Sequence, residues 1–295
     1  MFWTLKELVR VLRDIVIIQK SAVEERKILH RDCSLNNAMI LDDFDISKGF
    51  LIDWEFAVRI TADNKYPIGG MGTVPFMSRK LLSQVSLLQE QAKAEAENKK
   101  QAKARKSKSK TPAPKTPKTS SDSSALPVSH VVHTYSDDLE SLFFIFAWVG
   151  IKFSGPNGVV HQERMTNSLL NRWTNLDLAS CFAFKTTLFV DLLEEECLLN
   201  KFHPYFKPLI PLAKDWYAAL KDNMAHPVTF DAILHILDSH LDQLPNDEEL
   251  QSSMTTLKES AVTLSKLKHV ASLSLPVGSP KWKKSDDIFE SDGQV

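Results

Sequence analysis

Ile28-Leu29-His30-Arg31-Asp32-Cys33-Ser34-Leu35-Asn36-Asn37, followed by Leu51-Ile52-Asp53-Trp54-Glu55, is the stretch whose reading decides the fold. It sets one carboxylate in a polar loop, a carboxamide a short way along the same loop, and a second carboxylate at the end of a following apolar run. That donor set suits phosphoryl transfer, which asks a protein for positioning and charge neutralisation rather than covalent chemistry. Asp32 is placed to accept a hydrogen bond from an attacking hydroxyl. His30 and Arg31 complete its triplet. Asn37 and Asp53 supply oxygen ligands for magnesium and so for the phosphates of ATP.

Around this centre the sequence alternates between two periods. Leu5, Leu8, Leu12 and Ile15 recur at helical spacing between charged residues, which predicts an amphipathic helix over 4–27. Met39-Ile40-Leu41 and Phe50-Leu51-Ile52 flank a polar turn and predict a β-hairpin. Residues 61–83 read as an exposed loop. From Gln89 to Lys106 the residues suit a solvated helix. Ser107 to Ser124, with Pro112, Pro114 and Pro117 and no aromatic residue, reads as disordered. Order resumes near Val128. Leu139, Leu142, Phe143 and Phe146 mark one helix face, and Phe144, Ile145 and Trp148 fill much of the other, so this helix is expected to be central and buried. Further helices are expected near 177–199, 211–222 and 229–244, the last behind a Thr229 cap. A polar tail, 249–295, has helical character near 250–268.

Composition narrows the class. The chain has 295 residues, of which 43% are hydrophobic, enough for a sizeable core. Its net charge of −1 conceals a basic stretch near 93–118. Cys33, Cys181 and Cys197 fit neither a disulfide framework nor a zinc site, which suits a reducing compartment, cytoplasmic or nuclear. The first twenty residues carry no secretory signal. The longest apolar run, Leu142 to Ile151, falls short of the roughly 20 residues a bilayer needs, so a soluble protein without membrane contact is expected. Gly69-Gly70-Met71-Gly72 lacks the preceding strand and following helix of a phosphate loop. The Lys99 to Lys110 run has no interleaved aromatic residue on which a base could stack, so nucleic acid is not an expected partner. The nine histidines show no metal-binding spacing.

These motifs resemble the fungal-type protein kinase family. The resemblance rests on His30 to Asn37, on Leu51 to Glu55, and on Asp137-Asp138-Leu139-Glu140-Ser141-Leu142-Phe143. Gly155-Pro156-Asn157-Gly158, Trp173 and Lys185 are similar to the family's helical half. It implies a mainly α, α+β fold: a protein-kinase-like C-terminal lobe with a short hairpin, whose N-terminal lobe is expected to be missing. Residues 1–83 would form its first part, 84–127 a basic, mostly disordered insert, 128–248 its helical part and 249–295 the tail. It also implies transfer from magnesium-bound ATP to Ser/Thr hydroxyls of a protein substrate, with a missing lobe or partner chain completing the site. Gly72-Thr73-Val74-Pro75-Phe76-Met77-Ser78 resembles the substrate-docking segment, with Thr73 near Asp32, and Asp138 would hold the catalytic loop. Three departures stand out. Ser34 replaces a lysine that steadies the phosphate. Trp54-Glu55 replaces Phe-Gly. Ser78-Arg79-Lys80 replaces Ala-Pro-Glu, whose glutamate makes a buried ion pair. Two other readings remain open: a non-catalytic binding module, and a small-molecule phosphotransferase resembling aminoglycoside and choline kinases, which share the Asp-x-x-x-x-Asn loop and the acidic strand end.

Overall fold

Thr4 starts the first helix. Its hydroxyl accepts the N–H of Glu7, and the Glu7 carboxylate returns a bond to the Thr4 N–H, a reciprocal capping box. The helix, α1 (Leu5–Glu24), buries Leu8, Val11, Leu12, Ile15 and Val16 on one side. Against it lies the hairpin of β2 (Ala38–Asp42) and β3 (Ser47–Leu51), with Met39 opposite Phe50 and Ile40 opposite Gly49. Gly49 is required there. A Cβ at that position would sit 2.2 Å from the Val11 carbonyl oxygen, and the Gly49 N–H reaches Asp14 Oδ2 at 3.0 Å. Helix and hairpin therefore meet backbone to backbone.

The computed structural model describes residues 2–42, 47–108, 130–160 and 169–245. Among these the fold is mainly α, with eight α-helices and three short antiparallel strand pairs. Besides the hairpin, β1 (Ile28–Leu29) pairs with β4 (Val58–Arg59), and β5 (Lys65–Pro67) with β6 (His130–Val132). The described residues form one compact unit. No helix among the described residues is long and apolar enough to cross a membrane. The expected disordered stretch beyond residue 108, and the tail with its helical portion, lie outside the described residues.

Two expected elements differ from those found. Helix α2 (Arg79–Lys108) begins ten residues before Gln89, and the second half of the segment expected as an exposed loop is largely packed against the core, while its first half is mostly exposed. Met71, Phe76, Met77, Leu81 and Leu82 are buried, several of them against Val131, Leu178 and Cys181. Burial of the first turns, rather than their composition, makes this helix. The boundary expected at 83/84 falls inside it. The helix expected over 177–199 is two, α5 (Leu178–Val190) and α6 (Leu192–Leu199). Asp191 breaks them by capping the Leu193 N–H at 2.9 Å.

Helix α3 (Tyr135–Lys152) is the centre of the fold, with every residue from Ser136 to Gly150 buried. Phe146 stacks on Trp216 at 5.6 Å, and Phe143 meets Phe189, Trp216 and Tyr217 edge-on or tilted. Trp216 and Tyr217 belong to α7 (Ile210–Leu220). Helix α8 (Phe230–Gln243), capped by Thr229, closes over α1 and α7, and the short α4 (Leu169–Asn175) brings Trp173 beneath Phe144.

Where Ser78-Arg79-Lys80 replaces Ala-Pro-Glu and puts the family's buried ion pair in doubt, a different one forms, between Arg79 and Glu140. Arg79 begins α2, and its guanidinium meets the Glu140 carboxylate through Nε at 3.0 Å and Nη2 at 3.1 Å. The Arg79 N–H adds a third bond to Glu140 at 2.8 Å, and Asn223 a fourth at 2.9 Å. Nη2 also caps the Leu220 carbonyl at 2.6 Å, and the guanidinium lies 3.9 Å from the centre of the Phe189 ring. Removing one member of such a buried pair leaves an uncompensated charge, with a penalty of about 3–5 kcal/mol. Arg79→Met is expected to lose about that much in urea denaturation of the whole chain. Arg79→Lys should recover only part of it, because an ammonium cannot reproduce the fork.

Candidate active site

The residues of the His30–Asn37 loop are fixed from both sides. Arg31 adopts a left-handed backbone, φ 75°, unusual for a residue with a side chain. Its N–H donates to Asp138 Oδ2 at 3.2 Å, and its Nη2 donates to the Pro67 and Gly69 carbonyls at 2.6 and 3.3 Å. Its guanidinium also lies 5.5 Å from the Tyr66 ring centre. Asp138 is held in turn by His133 Nε2 on its other oxygen, at 2.9 Å. A strained loop conformation persists where its surroundings over-determine it, and here one buried carboxylate and two carbonyls do so.

His30 couples the loop to the end of β3. Its Nδ1 accepts the Asp32 N–H at 3.2 Å, so the ring hydrogen lies on Nε2, which donates to the Ile52 carbonyl at 2.9 Å. The edge of Trp54 stands against the imidazole, with ring centres 4.6 Å apart, and the indole N–H reaches the Leu51 carbonyl at 2.7 Å. Ile52 N–H donates to the Asn37 carbonyl at 2.9 Å. Asp53 follows immediately, also left-handed at φ 62°, with its side chain exposed. The Trp-Glu departure from Phe-Gly thus has a local role: the indole braces His30 and the strand end together.

Asp32 stands where these parts converge. Asn37 Nδ2 donates to its carbonyl at 2.9 Å and to its Oδ2 at 3.1 Å. The Thr73 hydroxyl faces Oδ1 at 3.5 Å. Burial pushes the Asp32 carboxyl above its usual range. The Asn37 amide and His30 oppose that rise, and the charges of Asp138 and Asp53 add to it. With its nitrogen on Asp32, the Asn37 side chain has Oδ1 to offer a cation. No cluster of three or more His, Cys, Asp or Glu side chains among the described residues is placed to hold a metal. The available donors are therefore one amide oxygen and one exposed carboxylate, hard ligands that fit magnesium already carrying phosphate and water. Cys33 beside Asp32 is buried, and its thiol is pushed well up by that burial, so it is inert as a nucleophile.

The candidate site residues read from the sequence are brought together: His30, Arg31, Asp32, Asn37, Asp53 and Thr73 around the loop, and Asp138 directly behind it. Sequence reasoning passed over His133, the bracing role of Trp54, and the contact of Ser78 Oγ with Asp137 at 2.7 Å. His133-Thr134 immediately before a run of acids was the one local signal for the first.

The fungal protein kinase family model matches residues 1–150, just over half the chain, and the matched span contains all seven of these residues. No curated protein matches the chain. With the match running from α1 through the buried helix behind the loop, the chain belongs to the fungal protein kinase family.

Proposed function

We propose that this chain is the catalytic lobe of a magnesium-dependent protein Ser/Thr kinase. The observation that carries the reading is Asp32, held by the Asn37 amide on one oxygen and faced by the Thr73 hydroxyl on the other. A substrate hydroxyl in front of that carboxylate would donate its hydrogen to Oδ1. Its oxygen would form the new bond to the γ-phosphorus as the bond to the ADP oxygen breaks, and its proton would pass to Asp32. The raised carboxyl brings Asp32 nearer the working pH as a proton acceptor. Asn37 Oδ1 and Asp53 would hold the magnesium, which when bound neutralises the phosphate charge.

Two features support a protein acceptor and a second, nucleotide-holding lobe. The segment from Met71 to Arg79 is anchored at Ser78 and Arg79, which gives an extended substrate a fixed wall beside Asp32. The outward face of the hairpin, Met39, Leu41, Phe50 and Ile52, is between 38% and 56% exposed and adjoins Asn37 and Asp53. An apolar floor of this kind suits an adenine ring and a covering lobe.

Incubating the chain with labelled Mg-ATP and protein acceptors, with its complementary lobe supplied where needed, tests the reading. Asp32→Asn and Asp53→Ala are each expected to lower phosphotransfer on the order of 10²–10⁴-fold. Turnover on choline or an aminoglycoside without any protein acceptor would favour a small-molecule enzyme. Absence of Mg-ATP binding by the completed protein would favour a binding module.

The same carboxylate makes a second prediction. Because burial raises the folded-state pKa of Asp32, the folded chain holds a proton that the unfolded chain has released. Stability is therefore lost as pH climbs from 3.8 through the raised value. Asp32→Asn removes that penalty. It should melt higher than wild type at pH 7, and the difference should vanish below the carboxylate range, as thermal scans across pH would show.

A further inference from the structure

The segment opposite Asp32 is gripped by a side chain that the mechanism above does not use. Lys185 of α5 lies outside the family match, and its side chain is 0% exposed. Its Nζ donates to the carbonyls of Pro75 and Met77, each at 2.8 Å. The ammonium also lies 3.7 Å from the Phe144 ring centre and 5.7 Å from that of Trp173. Its partners are two neutral carbonyls and two aromatic faces. A buried ammonium so placed is a costly way to fill space, and an apolar chain of the same length would fill it without desolvating a charge. What the charge adds is direction. Charge-assisted hydrogen bonds are short and strong, and both end on one short turn.

That turn begins at Thr73. The Thr73 carbonyl accepts the N–H of Phe76 at 2.8 Å and of Met77 at 3.1 Å. The residues Lys185 holds are thus tied, within four positions, to the residue whose hydroxyl faces Asp32. We propose that Lys185 is a positioning residue for the transfer reaction: by holding the Pro75 and Met77 carbonyls inward it fixes the Thr73 turn against Asp32. This rests on the kinase reading above.

The groups facing Lys185 are Cys181 one turn back on α5, Glu140 on α3 and Arg79 at the start of α2. Glu140 and Arg79 are paired with each other, and burial pushes the Cys181 thiol up. Burial lowers the Lys185 ammonium from 10.5 to about 8, so its charge is present below that pH and lost above it.

Hydrogen exchange on the full chain reads the grip whether or not phosphate is transferred. In Lys185→Met, the amides of Phe76 and Met77 should exchange about ten- to a hundredfold faster than in wild type, while the amides of α3 keep their protection. Wild type should lose the extra protection of Phe76 and Met77 as pH rises through about 8, relative to α3, and the variant should show no such step. In the completed, active protein, kcat should fall about tenfold or more with KM for ATP unchanged. Unchanged exchange at Phe76 and Met77, or a loss shared equally with α3, would overturn the proposal, and the wild-type pH step decides the matter even if the variant folds poorly. A wild-type protein that transfers no phosphate even with its complementary lobe supplied, yet loosens at this turn when Lys185 is replaced, would overturn the kinase reading while leaving the grip intact.

Discussion

Asp137, Asp138 and Glu140 leave the first turns of α3 in three directions, and each ties down a different part of the site. Asp138 takes the Arg31 N–H, Asp137 the Ser78 hydroxyl, and Glu140 the Arg79 guanidinium. All three are buried, where a carboxylate is costly unless its oxygens are filled. Here they are filled, by backbone N–H groups, hydroxyls, His133 and an arginine fork, at the positive end of a helix. Burial still pushes the Asp137 carboxyl up, with His133, Lys80 and Ser78 opposing. The His30–Asn37 loop and the Met71–Arg79 segment share no strand. Their mutual position is inherited from one helix terminus, and α3 can serve as that reference because aromatic residues enclose it on every side.

A complementary device works from the other direction. Arg31, Arg79 and Lys185 each direct donors at main-chain carbonyls: Pro67 and Gly69, Leu220 and Lys221, Pro75 and Met77. At the end of a strand, at the C-terminus of a helix and in an irregular turn, carbonyls are left with no ladder to join. Long cationic side chains reach them without imposing secondary structure. The segment can therefore stay irregular enough to carry Thr73 to Asp32 while its polar groups remain satisfied.

Much of this was legible in the sequence, for definable reasons. Asp32, Asn37 and Asp53 stand in one short stretch, so their spacing carries the information. The α1 stripe follows from a period of 3.6, and the Met39/Phe50 hairpin from two short apolar runs flanking a polar turn. The start of α2 was hidden because Leu81, Leu82 and Val85 are too few apolar residues to dominate the polar run behind them, and only packing against Leu178 and Cys181 makes them core. Asp191 reads equally well as a surface residue within one helix or as the cap that separates two. The pairings of Arg79 with Glu140 and of Lys185 with Pro75 join residues far apart in the chain. No local pattern encodes such partners.

The hairpin shows how the two faces of one element can be assigned different work. Ala38, Ile40 and Leu51 point toward α1 and the core, and Gly49 lets the strand settle onto Val11. Strict alternation would put polar residues on the opposite face, as in a sheet with one side in water. Instead Met39, Leu41, Phe50 and Ile52 stand there, with Met39 and Phe50 directly paired across the strands. A strand pair apolar on both faces is built to be covered on both. Its second face borders Asn37 and Asp53. The cover that suits such a face is itself apolar, and it would lie beside Asn37 and Asp53, next to the Asp32 carboxylate that Asn37 holds.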